Sequence, residues 1–350
     1  MNLNYYIAKN TPAIHLRIKE HISAARSSHS SQIGVESLSL IEESAVSGKM
    51  LRGNLFLLVA QIFGAKELDN LYDIAAGIEI LQTGLLIHDD IMDHDLKRRN
   101  NDSVFASYIK KARNYKAQDP EHYGTSMAIC AGDLAYFLVF DIFAKSKIEP
   151  KKLILMINKL AQELQGVGVG QMMDVAFGQL KKNPTKEEIE NVNLLKTARY
   201  TFLLPMVLGS LSQTGEAIEI LEKLGLSIGA IFQLRDDELG LFGNDKVIGK
   251  EIGSDIRENK KTLIRKILFD KSNEEERKLL SKIFGKKDLT LQEIDIIKQI
   301  VIKNKVQEAI LEVILTHKSK SKDLISELNS MGYKTGLLSE MLDFVSQRDK

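Results

Sequence analysis

The chain has 350 residues, 44% apolar and 27% charged, with a formal net charge of +1. That length and balance suit a folded globular protein and exclude the broad positive charge of a nucleic-acid-binding surface. The single cysteine, Cys130, rules out an intrachain disulfide, argues against a thiolate metal site and fits a reducing, cytoplasmic location.

The first nine residues mix polar and apolar types and carry no signal-peptide pattern. No stretch reaches the roughly 18 uncharged apolar residues of a membrane span. The best candidates, 55–64 and 134–144, are short, and Asp141 interrupts the second, so no transmembrane segment is expected. The chain holds only five prolines, and apolar residues recur at three- and four-residue spacing. Ile74, Ile78, Leu81, Leu85 and Met92 form one such series; Leu153, Met156, Ile157 and Leu160 form another. This periodicity predicts an all-α fold with short loops.

The breaks follow in order. Gly48 separates an N-terminal helical region from a helix starting near Lys49. Residues 65–70 read as a loop, and basic 97–103 ends the following helix. Residues 110–124, with Asp119-Pro120, read as an exposed polar insertion. Thr185 and Glu188 have the spacing of a capping box at a helix start. Residues 243–259 read as a long polar loop, and charged amphipathic helices follow from about Lys260. No repeat and no linker divides the chain, so 1–350 is expected to be a single domain.

Two acidic clusters stand out. One reads Leu85-Leu86-Ile87-His88-Asp89-Asp90-Ile91-Met92-Asp93; the other reads Phe232-Gln233-Leu234-Arg235-Asp236-Asp237-Glu238-Leu239-Gly240. Neighbouring carboxylates in apolar sequence repel one another and resist desolvation. On a helix Asp89 and Asp93 share a face, with Asp90 adjacent. A lone cluster would be a solvated helix end; two point to a bound cation. A hard cation such as Mg²⁺ takes carboxylate oxygens and leaves coordination places for phosphates. Cationic side chains stand nearby in sequence: Lys49 and Arg52 three apart, and Arg98 and Arg99 just after the first cluster. Arginine suits bidentate phosphate contacts and lysine acts as a point charge. These residues together predict a magnesium-diphosphate site.

Seven ordered motifs then carry a resemblance. They are GKMLR (48–52), LLIHDDIMDHDLKRR (85–99), AGD (131–133), GQMMD (170–174), KTARYT (196–201), FQLRDDELG (232–240) and GSDIRENKKTL (253–263). The sequence resembles the trans-isoprenyl diphosphate synthases, or polyprenyl synthetase family, and within it the geranylgeranyl diphosphate synthases. The resemblance implies an all-α isoprenoid synthase-type bundle around a large central cavity, usually a homodimer. It implies Mg²⁺-dependent head-to-tail condensation of isopentenyl diphosphate with an allylic diphosphate: dimethylallyl, geranyl or farnesyl. By resemblance, Asp89, Asp90, Asp93, Asp236 and Asp237 carry the magnesium. Arg98, Lys196 and Lys250 hold the allylic diphosphate, and Lys260 is a further substrate-binding residue. Lys49, Arg52, Arg99 and Gln82 bind isopentenyl diphosphate, and Thr197 and Gln233 present oxygens to the developing cation.

Two departures from the family pattern are visible. Gly240 stands where a third aspartate of the second cluster often falls, and Gln82 stands where a histidine is common. Gly84 and Leu85 leave the hydrocarbon tunnel open where bulky aromatics would close it, and the medium-sized Leu81 and Ile78 lie deeper. A twenty-carbon product is therefore expected. Tyr136, Phe137, Phe140 and Phe143 are candidate tunnel residues, with core or interface packing the plainer reading. His88 reads as a residue that orients a neighbour rather than a metal ligand. The competing readings are a non-catalytic regulatory subunit and a His-Asp metal phosphohydrolase. The first would have lost an aspartate cluster; the second leaves GKMLR and KTARYT unexplained.

Overall fold

The computed structural model describes residues 2–180, 183–242 and 253–347, without the side chains of Phe242 and Ser254. Its helices, in chain order, are α1 (Leu3–Ser28), α2 (Gln32–Val46), α3 (Leu51–Ile62), α4 (Asp69–Met92), α5 (Val104–Asn114), α6 (Pro120–Lys145), α7 (Pro150–Gln179) and α8 (Lys186–Asn193). A π-helix, Leu194–Leu203, follows; then come α9 (Leu204–Thr214), α10 (Glu219–Phe242), α11 (Ser254–Arg257), α12 (Leu263–Lys271), α13 (Glu274–Ile283), α14 (Leu291–Lys303), α15 (Val306–Ser330) and α16 (Gly336–Ser346). Two-residue strands β1 (Lys97–Arg98) and β2 (Asn101–Asp102) form an antiparallel hairpin.

The chain divides into two compact units. The first comprises residues 1–158 and 205–217. Its centre is α4, which packs against α1, α3 and α6. Residues Ile74 to Gly84 of α4 are buried on every face, the pattern of a helix wrapped by neighbours. The helix α6 is 26 residues long and has an 18-residue window of mean hydropathy 1.8. Length and composition alone would let it cross a membrane. Its Ala128, Ala131, Gly132, Ala135, Leu138 and Val139 are instead buried in a helix packed on α4 and α5. Asp141, which interrupts the apolar stretch 134–144, lies within this continuous helix.

The expected polar insertion at 110–124 is a correction. Helix α5 runs to Asn114, and α6 begins at Pro120 with Asp119 as N-cap, its side chain accepting the His122 N–H at 3.0 Å. Asp-Pro here starts a helix rather than a turn, because proline is tolerated at the first helical position.

The second unit comprises residues 159–204 and 218–350. Here α10 packs against the π-helix, α15 and α16. The capping box at Thr185–Glu188 forms as read: Thr185 N–H donates to Glu188 Oε2 at 2.7 Å, and Glu188 N–H donates to Thr185 Oγ1 at 3.2 Å. The C-terminal helices are amphipathic, with further capping boxes at Asn273 and Thr290. Much of the expected loop at 243–259 lies outside the described residues.

Candidate active site

In the first unit the aspartates occupy the C-terminal end of α4, where the helix dipole is already negative and carboxylates are disfavoured without cations. Asp93 is the C-cap residue, and its N–H still bonds Asp89 O at 2.9 Å, so the shared face persists. The cation is Arg98 of β1. Its Nε donates to Asp90 Oδ1 at 2.8 Å, and its Nη2 contacts Asp90, Asp95 at 3.3 Å and Asp89 at 3.5 Å. Burial pushes the Asp90 carboxyl up to about 6, even with Arg98 working against the rise. Burial opposes the charge on Arg98, yet Asp90 and Asp89 outweigh it and hold the guanidinium firmly protonated.

The hairpin turn is Arg99-Asn100, both left-handed with φ of 54° and 65°. Two such residues match the twist of a tight hairpin, and a left-handed arginine costs about 1 kcal/mol. On the two sides of this turn, consecutive guanidinium groups go to different places. Arg98 turns to the aspartates, whereas Arg99 Nη1 lies 3.0 Å from Ser47 Oγ and 3.3 Å from Ser44 O at the end of α2. Gly48 leaves the room: a Cβ there would stand 3.0 Å from Arg99 Nη1.

Lys49 is exposed and Arg52 half-buried. The helix begins at Leu51, two residues later than read, because Met50 is left-handed (φ 50°) with its side chain buried. Gln82 is buried, and its Oε1 has no hydrogen-bond partner among the described residues. Sequence reasoning missed Glu79, one turn before Gln82. Its Oε1 accepts the Gly53 N–H at 2.7 Å. Burial raises its carboxyl, opposed by Arg52, the Gly53 N–H and Arg99. A lone glutamate inside the apolar run 74–87 was the available signal.

His88 Nε2 lies 3.1 Å from Ile129 O on α6, close to Gly132, where a Cβ would stand 2.3 Å from that nitrogen. The ring is engaged by a neighbouring helix. The open position at Gly84 is filled by another chain segment: a Cβ there would stand 2.7 Å from Cε1 of Tyr136. Phe143 is buried beside Gly77, whereas Phe137 and Phe140 are exposed.

In the second unit Asp236 and Asp237 lie in the last two turns of α10, again a negative helix end. Asp237 is 6% exposed. Gln233 Nε2 donates to its Oδ1 at 2.7 Å, while its Oδ2 has no hydrogen-bond partner among the described residues. Burial and then Asp255 raise its carboxyl well above the usual range. Asp255, of α11, sits against Gly240: a Cβ there would stand 2.7 Å from Asp255 Oδ2. The missing third aspartate thus leaves space that a carboxylate from elsewhere in the chain occupies. Lys260 Nζ is 3.0 Å from Glu258 and 3.9 Å from Asp255. Lys196 Nζ is 2.6 Å from Asp174 Oδ2 of α7. Lys196 and half-buried Thr197 sit on the π-helix, a geometry common at functional sites. That helix is clamped by Arg199, which grips buried Glu163 of α7 at 2.6 and 2.8 Å. Gly229 brings α10 so near that a Cβ would stand 2.5 Å from Ala198. Lys250 lies outside the described residues.

A profile of the polyprenyl synthetase family matches residues 37–302. The chain belongs to the polyprenyl synthetase family. It is an isoprenyl diphosphate synthase, a transferase of prenyl groups. Among the relatives of this synthase is a geranylgeranyl diphosphate synthase of Methanosarcina mazei, 29% identical over 304 residues, 86% of each chain. A geranylgeranyl pyrophosphate synthase of Geoglobus acetivorans is 31% identical over 307 residues, 86% of this chain and 87% of its own. The fold is that of a geranylgeranyl pyrophosphate synthase of Corynebacterium glutamicum, solved with isoprenyl diphosphate and magnesium, at a TM-score of 0.90, 24% identity and full coverage of both chains.

Among the described residues, no three His, Cys, Asp or Glu side chains gather into a metal-binding group. The donor set nonetheless suits a hard cation. The buried Oδ2 of Asp237, with no hydrogen-bond partner among the described residues, is an oxygen donor of the kind a hard cation takes.

Proposed function

We propose that this synthase joins isopentenyl diphosphate head-to-tail to an allylic diphosphate, with Mg²⁺ as cofactor and geranylgeranyl diphosphate as product. The observation that carries the reading is the divergence of Arg98 and Arg99. Consecutive guanidinium groups serve two walls, one with the aspartates and one with Glu79 and the end of α2. Two separate anion positions are what a condensation of two diphosphates needs, whereas a cyclase needs one.

In this reading Asp89, Asp90, Asp93, Asp236 and Asp237 would hold the magnesium. When bound, it supplies the positive charge that neutralises a departing diphosphate. Arg98, Lys196 and Lys250 bind the allylic diphosphate; Lys49, Arg52, Gln82 and Arg99 bind isopentenyl diphosphate, and Lys260 binds substrate. Gln233 spends its amide nitrogen on Asp237, which turns its oxygen the other way, and Thr197 offers a hydroxyl oxygen. Such fixed dipoles stabilise a developing allylic cation without reorganisation. The alkene attacks that cation, and the released diphosphate takes the final proton.

The product length rests on the relatives' names and on medium-sized Leu81 and Ile78. A homodimer accounts for the exposed Ile129, Phe137 and Phe140 of α6, a run of large apolar side chains that water disfavours. A single domain spanning 1–350 and a cytoplasmic location complete the reading.

The test is incorporation of labelled isopentenyl diphosphate with dimethylallyl, geranyl or farnesyl diphosphate, with the products sized. Extension to twenty carbons that stops on chelation of magnesium is expected. No extension with any primer would sink the assignment.

A further inference from the structure

A cavity of about 380 Å³ opens in the second unit where α8 and α12 begin. Its main charged wall is Arg265, which is 8% exposed. The guanidinium lies 4.4 Å from the Phe269 ring centroid and 5.0 Å from that of Phe284. Its Nη1 donates to Asn183 Oδ1 at 3.3 Å, and its Nε has no hydrogen-bond partner among the described residues. No described carboxylate pairs with it. A buried cation without a counter-ion is held at a cost that burial next to π-faces offsets only in part.

The surroundings add positive charge. Lys261 lies one turn before Arg265 and lines the same cavity, as do Lys186 and Lys266. The acidic side chain lining it is Asp270, whose oxygens both lie 2.6 Å from Lys266 Nζ and are already committed. Two helix N-termini open there, capped by Thr185 and Thr262; the α8 start carries Glu187 and Glu188 in its first turn, so the α12 start, with no acidic residue in its first turn, is the electropositive one. Burial, joined for Lys261 by repulsion from Arg265, pulls the two cations down, Lys261 to about 8 and Arg265 to about 10. An arriving anion would relieve that desolvation.

We infer that this cavity binds a phosphate or diphosphate group between Arg265 and Lys261, with Ile189 and Phe269 as apolar wall for any attached hydrocarbon. The site is distinct from both aspartate clusters and does not depend on the reaction assigned above. It sits one residue from Lys260, so an occupant would act on a neighbour of the proposed substrate lysine. Inorganic diphosphate and a prenyl diphosphate share the required chemistry.

The test is calorimetric titration of the full chain with inorganic diphosphate in the presence of a chelator, for the wild type, Arg265→Gln and Lys261→Gln. Both substitutions leave every proposed substrate residue unchanged, so loss of one site with the others retained reports this cavity. We expect one site to weaken at least tenfold in both variants. We also expect ligand to slow hydrogen exchange in peptides covering 185–190 and 262–270 of the wild type. If Arg265→Gln does not fold, Lys261→Gln at the partly exposed end carries the comparison. Identical isotherms and unchanged exchange would overturn the site. Repeating the titration with geranyl diphosphate identifies the source: tighter binding assigns a prenylated ligand, equal binding the inorganic ion.

Discussion

The carboxylate of Glu79, 5% exposed, accepts the backbone N–H of Gly53 at 2.7 Å. That one contact ties the middle of α4 to the first turn of α3, beside Arg52, and it stands within the electrostatic reach of Arg99. Buried carboxylates survive only with hydrogen bonds and cations to offset desolvation. Glu79 has both, and its charge in turn favours the charged form of Arg99.

Glu79→Gln keeps an oxygen for Gly53 and removes the charge. The prediction is a KM for isopentenyl diphosphate raised roughly tenfold, about 1.4 kcal/mol, with kcat little changed. Steady-state kinetics with each substrate varied in turn checks it. An unchanged KM would mean that Glu79 serves packing alone.

Tyr136 occupies the volume that Gly84 vacates on α4. Tyr136→Ala is therefore expected to shift the product distribution toward longer chains, while Gly84→Ala drives a methyl into the ring and costs about 1–3 kcal/mol. Chromatographic sizing of products and denaturant melts read the two effects. Tyr136→Ala with wild-type product length removes the ring from any role in termination.

Gly240→Asp restores the sequence pattern at the second acidic cluster but places a Cβ 2.7 Å from Asp255 Oδ2. It also adds a charge near buried Asp237, whose Oδ2 has no hydrogen-bond partner among the described residues. A loss of stability of about 1–3 kcal/mol is expected, read as a lower denaturation midpoint. A midpoint equal to wild type would show that Asp255 moves aside freely.

His317 of α15 is held neutral: burial lowers its pKa below 6.5, Lys320 adds to the effect and Glu190 opposes it. Its Nδ1 is 3.3 Å from Ser227 Oγ. Below 6.5 the unfolded chain takes up a proton that the folded chain resists, so unfolding gains. The contribution is complete above 6.5 and is lost as pH falls toward the folded value. His317→Gln should flatten that part of the stability–pH curve. Denaturant melts on either side of 6.5 check it, and parallel curves for the two proteins would refute it.

The all-α fold was legible because three- and four-residue apolar spacing is a local property of the chain, and so was the Thr185–Glu188 capping box. The β1–β2 hairpin was not. Its turn uses a left-handed arginine, which no local preference announces. Asp119-Pro120 carries the same letters whether it ends an element or starts one. Asp255 fills the space at Gly240 through the fold of a segment fifteen residues away, and no pattern in either motif records that proximity. Both aspartate clusters were visible because carboxylates in apolar sequence are rare; Glu79 was passed over because it stands alone.

Glu79 and Asp90 ride on one uninterrupted helix, eleven residues apart. At 1.5 Å per residue that helix is a gauge of about 16 Å between the carboxylate that holds the Gly53 N–H and the carboxylate that Arg98 clamps. Inserting a single residue between them would lengthen the gauge by only about 1.5 Å but swing its far end by about 100°. The rotation, far more than the length, is what evolution of this spacing must respect: α4 does not survive a change of phase.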